Sequence, residues 1–208
     1  MRRSDLVLAV YLPTALLAMG QGLLLATLPF HATQLGASLT MVSVITAAAA
    51  IGTLITDVPA GMLLYRIGLR RSMLIGSSLV VVGTVSLALP LEPPAIVGFR
   101  LLAGIGTAMW GLSRHAFITQ VTDSANRGRS IAVFGGINRI GVFAGPAVGG
   151  IIATAASTSA SFLLAGAMGA LAFSAGVLFI PRDAPHARGI GDSRQKRWDL
   201  VRVTVMSA

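Results

Sequence analysis

The sequence contains no cysteine, and its 208 residues include only three histidines and seven acidic residues. The missing cysteine excludes disulfide frameworks, thiolate nucleophiles and cysteine metal sites, and the scattered histidines offer no metal cluster. Only 11% of the residues are charged, whereas a typical globular chain has about 25%. So little charge cannot cover a water-facing surface, which excludes a soluble enzyme. We therefore predict neither a metal nor a cofactor.

Long apolar runs take the place of charge, and the mean hydropathy is +0.80. Six runs are long enough to cross a hydrocarbon core of about 30 Å as helices. They are continuous and rich in alanine, glycine and leucine, unlike the alternating segments of transmembrane strands. The predicted fold class is an all-α membrane protein, with a transmembrane domain over residues 1–181. The predicted spans are 6–30, 39–64, 72–91, 95–113, 130–153 and 159–180.

The basic residues lie mostly in alternate gaps between these runs, at residues 65–71 and 114–129 and from residue 182 onward. The remaining loops hold Glu92 as their one charged residue. The positive-inside preference therefore predicts that both termini are cytoplasmic. We expect a multi-pass protein of a cell membrane, such as a bacterial inner membrane, and no nucleic-acid partner. Residues 182–208 are predicted to be a basic cytoplasmic tail or a linker.

Three ionisable residues lie within the predicted spans: Asp57, Arg100 and Arg139. Each costs roughly 2.5–3.5 kcal/mol at the bilayer centre, so each needs a reason. For the two arginines, one interpretation is a cation that faces a water-filled cavity and binds an anion or organises proton movement. The other is a structural pair or a clamp on backbone carbonyls.

Asp57 is the one acid within a span. It is either a proton carrier or a gate residue paired with an inner-loop arginine, and its position near the inner end of span two favours the gate. Gln21, in the middle of span one, either lines a polar pathway or bonds to a neighbouring helix. We expect His31 to be solvated at the outer interface and Trp110 to serve in packing.

Small residues form a stripe on span five, where Gly141, Gly145 and Gly149 recur every four residues. Helices approach closely along such stripes, and Pro146 favours a bend. Asn138 lies within about 20° of the stripe, whereas Arg139 points about 100° away. Packing alone explains the glycines, but not the proline and the polar pair.

Three motifs resemble those of the major facilitator superfamily, in particular the amino-terminal half of a drug-efflux member. One follows span two and consists of Gly61, Arg66, Gly68, Arg70 and Arg71. The second begins at Arg100 and continues with Gly104 and Gly106. The third is similar to the antiporter signature, with Gly141, Gly145, Pro146, Gly149 and Gly150.

This resemblance implies a twelve-helix transporter of two six-helix halves with alternating access. The first motif would gate the cytoplasmic side, Arg100 would take part in proton coupling, and the third motif would favour export. The implied partners are a small amphipathic substrate, protons, the lipid bilayer and a second six-helix half, either a second copy or a separate chain. Tyr65 and Leu69 depart from the first motif, which has an acid and a base there, and Asp57 is a candidate to replace the acid.

We therefore predict a transporter component and not an enzyme: the amino-terminal half of a proton-coupled efflux transporter for small amphipathic molecules. The alternative is a truncated half that does not transport, kept as a remnant or as an assembly or regulatory subunit.

Overall fold

The computed structural model describes residues 7–122 and 125–180. These residues form six helices that are long and apolar enough to cross a membrane, which confirms the all-α membrane fold. A π-helical turn, Val7–Tyr11, precedes the first helix, and a 3-10 turn, Ser86–Ala88, follows the third. The helices are α1 Leu12–Gln34, α2 Leu39–Ile67, α3 Leu69–Val85, α4 Pro93–Val121, α5 Arg127–Ala155 and α6 Thr158–Phe179.

The fourth helix is longer than the sequence predicts. The predicted span ends at residue 113, yet α4 continues through Arg114 to Val121, and α5 already begins at Arg127. Residues 114–121 and 127–129 of the predicted inner loop are therefore helical. The predicted tail, residues 182–208, lies outside the described residues.

Local sequence signals set several helix ends. Ser38 and Ser157 accept hydrogen bonds from the backbone N–H groups of Met41 and Ala160 and so cap α2 and α6. Gly68 alone separates α2 from α3 and has a φ of 84°. This left-handed conformation favours glycine, so the glycine of the first motif makes the tight connection possible.

The helices pack in two groups that meet at one side. Helix α4 lies between α2 and α3, and α1 lies between α5 and α6. Helices α3 and α6 pack against each other, whereas α1 has few contacts with α2 and α4 has few with α5. The bundle is therefore closed on the α3–α6 side and leaves space between α1, α2, α4 and α5.

Glycines allow the closest contacts within the two groups. A Cβ on Gly145 would lie 2.5 Å from the backbone nitrogen of Leu23, and one on Gly104 would clash with the carbonyl oxygen of Ala49. Gly141 and Gly149 also pack against α1, whereas a Cβ on Gly150 would meet nothing within 4 Å. Helix α5 continues through Pro146. The predicted groove on span five is thus the contact surface for α1.

The two ends of the bundle differ in charge. We call the end that holds the α2–α3 and α4–α5 connections the basic end, because it includes Arg66, Arg70, Arg71, Arg127 and Arg129. The other end is called the far end. Which end faces the cytoplasm remains a prediction from the charge asymmetry.

Candidate functional site

A cavity of about 270 Å³ lies between the helices in the far-end half of the bundle. Most of its lining is aliphatic. Among the described residues of its lining, Arg100 is the one charged side chain, and the other polar side chains are Gln21, Thr46, Thr53, Thr84 and Thr107. A cavity with an apolar wall and a few polar groups is typical of sites for small molecules.

Arg100 thus faces a cavity, as one of the two interpretations of this residue requires. Its side chain is half-buried, and its buried Nε has no hydrogen-bond partner. A buried nitrogen of a charged group without an acceptor is costly. The guanidinium of Arg100 therefore has a hydrogen-bond donor that no described residue accepts.

A second cavity, of about 300 Å³, lies nearer the basic end. Two charged side chains, Asp57 and Arg114, line it together with His115 and Asn138. The arginine that shares a cavity with Asp57 is therefore Arg114, which belongs to α4 and not to a loop. Asn138, on the same face of α5 as the glycine stripe, also lines this cavity.

The two cavities meet at a shared wall. Leu17, Gln21, Thr53 and Thr107 line both. At this wall Gln21 Nε2 donates a hydrogen bond of 3.3 Å to Thr107 Oγ1, which links α1 to α4. Thr53 Oγ1 lies 3.1 Å from the carbonyl oxygen of Gly104 and links α2 to α4. Gln21 therefore both lines the two cavities and bonds to a neighbouring helix.

Arg114 contacts two aromatic rings. Its guanidinium carbon lies 4.0 Å from the ring centroid of Trp110, one turn earlier on α4, and 4.0 Å from that of Phe134 on α5. The edge of the His115 ring contacts the same phenylalanine, with ring centroids 4.9 Å apart. The cation–π contacts stabilise a charge within the bundle and fix its position.

Sequence reasoning missed Arg114, although the spacing on α4 contains a signal. Arg100, Thr107 and Arg114 follow one another at intervals of seven residues. Seven residues are close to two helical turns, so the three side chains share one face of α4. That pattern becomes visible only if the helix continues past residue 113.

The residues of the first motif do not gather around Asp57. Arg70 Nη2 donates a hydrogen bond of 3.0 Å to the carbonyl oxygen of Val177, near the end of α6. Arg66 and Arg71 are exposed, and a Cβ on Gly61 would make an ordinary contact of 3.6 Å with Leu112 of α4. In this conformation Arg70 joins α3 to α6 within the bundle.

Two other residues differ from expectation. Arg139 is exposed on α5 and belongs to the lining of neither cavity. His31 is buried and not solvated: its Nδ1 lies 2.9 Å from Thr158 Oγ1 on α6. The described residues contain no cluster of metal-ligating side chains.

Six helices of membrane-crossing length, which surround two cavities, define a multi-pass membrane protein. The family model of the Major Facilitator Superfamily matches residues 10–206, and the chain belongs to this superfamily.

Curated relatives and solved structures agree with this assignment. The Quinolone resistance protein NorA of Staphylococcus aureus (strain MRSA252) is 26% identical over 174 residues, which cover 84% of this chain and 45% of NorA. A crystal structure of the peptide transporter POT, a mutant in complex with sulfate, covers 100% of this chain and 45% of its own, with a TM-score of 0.77 and 15% identity. A POT family transporter in complex with a thioalcohol-conjugated peptide gives a TM-score of 0.78 at 18% identity, over 99% of this chain and 46% of its own. The likeness to these structures shows the fold, and this chain spans about half the length of the curated relatives that it matches.

Proposed function

We propose that this chain is the amino-terminal half of a proton-coupled efflux transporter for small amphipathic molecules in a bacterial cell membrane. The observation that carries the proposal is the pair of adjoining cavities with largely aliphatic walls. Arg100 lines the far-end cavity, and Asp57 and Arg114 line the basic-end cavity. Such a lining suits molecules that have both apolar and charged parts. The similarity to NorA, a quinolone resistance protein, supports efflux as the direction of transport.

The exposed faces of α2 and α5 support the need for a second six-helix half. Leu54 and Val58 on α2 are 75% and 68% exposed, and Phe143 on α5 is 88% exposed. These two helices flank the open side of the cavities. A second half, either another copy or a separate chain, would complete the cavity wall there. Arg139 lies on α5 three residues before Val142, which lines the far-end cavity, and so would lie beside this boundary.

Arg100 is proposed to couple transport to protons as a fixed cation. Among the described residues no acid lines the far-end cavity with it. A carboxylate from the second half, or a charged substrate, would supply the missing counter-charge. A proton that neutralises such a carboxylate would weaken its attraction to Arg100, and this change is how the proton would affect binding.

The test is efflux from cells that express the chain with a second six-helix half, measured as accumulation of a quinolone or a cationic dye before and after uncoupling. We expect Arg100→Ala to abolish proton-dependent efflux while the protein remains inserted in the membrane. Arg127→Ala is the matched control, because Arg127 is exposed at the start of α5 and lines neither cavity. Unchanged proton-dependent efflux in Arg100→Ala would contradict the coupling role, and no efflux with any second half would favour the non-transporting alternative.

A further inference from the structure

The guanidinium of Arg114 lacks acceptors for hydrogen bonds that it is able to donate. The residue is 7% exposed, and its Nε and Nη1 atoms are buried with no hydrogen-bond partner. The ring centroids of Trp110 and Phe134 each lie 4.0 Å from its guanidinium carbon, and ring faces do not replace in-plane acceptors. An arginine placed in this way has its position fixed but its hydrogen bonding incomplete.

The other groups around the basic-end cavity leave this need unmet. Asp57 and His115 are the other ionisable residues of the lining. Within the described residues no ion pair joins Asp57 to Arg114, and His115 Nδ1 lies 2.8 Å from the carbonyl oxygen of Gly111 on its own helix. Gln21 and Asn138 also line the cavity, and their amides are able to donate to a second oxygen.

We propose that Arg114, with the Asn138 and Gln21 amides, forms a subsite for the carboxylate of an amphipathic substrate, while the aromatic and aliphatic walls take its apolar part. A guanidinium fork matches a carboxylate in shape and charge, and its preorganisation by contacts with two rings lowers the entropy lost on binding. A single unpaired cation suits a monoanion. That the bound carboxylate belongs to a transported substrate rests on the proposed function. Binding itself requires neither a second half nor a proton gradient.

Asp57 is the internal competitor for Arg114. If the two side chains paired with each other in the ligand-binding state, the cavity would have no preference for acids. Removal of the Asp57 charge by Asp57→Asn is therefore expected to preserve or increase the affinity for a carboxylate. If Asp57→Asn instead eliminates the preference for acids, the subsite as proposed is wrong.

The test uses the fluorescence of Trp110 in the purified full chain, in nanodiscs of zwitterionic lipid. The sequence has one other tryptophan, Trp198, so Trp198→Phe leaves Trp110 as the single reporter. The probes are 4-phenylbutanoate and its uncharged amide, which differ in the carboxylate alone. We expect the acid to bind about tenfold more tightly than the amide, as one charge-assisted hydrogen-bonded pair provides.

Arg114→Gln is expected to bring the affinities for the acid and the amide together, and Arg114→Lys to restore part of the difference. Arg139→Gln is the matched control, since Arg139 is outside the cavity lining, and it should preserve the full preference. Equal binding of acid and amide by the unsubstituted protein, or a preference that survives in Arg114→Gln, would overturn the subsite. If Arg114→Gln does not fold, Arg114→Lys decides. A preference for the acid that is smaller than in the unsubstituted protein supports the subsite, because lysine keeps the charge but lacks the guanidinium fork. A preference of the same size overturns it. Failure of efflux in cells would not change any of these binding results, so the two proposals fail separately.

Discussion

The hydrogen bond between Gln21 and Thr107 is the polar contact that joins α1 to α4 at the wall shared by the two cavities. It links two groups of helices that otherwise have few contacts on this side. We expect Gln21→Leu and Thr107→Val to be coupled by about 0.6 kcal/mol, the average for hydrogen bonds between membrane helices. A double-mutant cycle on unfolding in mixed micelles measures this coupling.

Thr46→Val is the control for that cycle. Thr46 also lines a cavity, but its hydroxyl donates to the carbonyl oxygen of Val42 on its own helix. It should therefore show no coupling to Gln21→Leu. If both threonines show the same coupling, the Gln21–Thr107 contact has no specific role in holding α1 against α4.

For single residues, the sequence could indicate which ones are unusual but not which of them share a cavity. Asp57, Asn138 and Gln21 attract notice as polar residues in apolar spans, and the structure places all three on the lining of one cavity. Arg139 attracts notice for the same reason but is exposed on α5. Periodicity gives the angle between two residues of one helix, whereas the neighbour that each one meets depends on contacts between distant segments.

The packing of α1 against α5 depends on glycine at particular positions of the helix. A Cβ on Gly145 would lie 2.5 Å from the backbone nitrogen of Leu23, and backbone atoms cannot move aside as a flexible side chain does. We expect Gly145→Ala to reduce the free energy of unfolding by roughly 1–3 kcal/mol, the usual cost of overpacking. Differential scanning fluorimetry in detergent should show a lower melting temperature.

Gly150→Ala is the matched substitution, because a Cβ at Gly150 would meet nothing within 4 Å. Alanine is also the better helix former, so stability should stay the same or rise slightly. An equal loss of stability in the two variants would mean that the close approach at Gly145 is not what stabilises the α1–α5 contact.

The number of helices was predictable from apolar runs, whereas the end of α4 was not. A charge at residue 114 normally indicates the end of a membrane span, since an uncompensated arginine is costly in the bilayer. Here Trp110 and Phe134 cover the guanidinium, and Phe134 belongs to a helix that comes later in the chain. The compensation comes from tertiary contacts, so the composition of the segment could not reveal it.

For the whole molecule, the charge asymmetry between the two ends predicts an orientation that labelling can test. The chain has no cysteine, so single cysteines can be introduced at Gln34 at the far end and at Ala125 at the basic end, both exposed. We expect a membrane-impermeant maleimide to label Gln34→Cys from outside intact cells, and Ala125→Cys only after the membrane is opened. Labelling of both from the same side would contradict six crossings, and the reverse pattern would contradict cytoplasmic termini.

The membrane class and the bundle of six helices follow from the sequence because hydrocarbon allows few alternatives for long apolar segments. The division of the helices into two groups does not follow from it. That division depends on which small residues meet, such as Gly104 with Ala49 and Gly145 with Gly22. Many glycines occur in the chain, and their spacing alone does not identify their partners.

Helix α4 carries Arg100 and Arg114 on one face, about 21 Å apart along its axis. Proline occurs inside α1, α2 and α5, whereas the prolines of α4 lie in its first turn. A continuous helix of this kind moves as a stiff rod, so a tilt about its middle would shift its two guanidinium groups in opposite directions. A group that attracts Arg100 strongly enough to tilt the helix would therefore also displace Arg114, and the reverse would hold for a group that attracts Arg114.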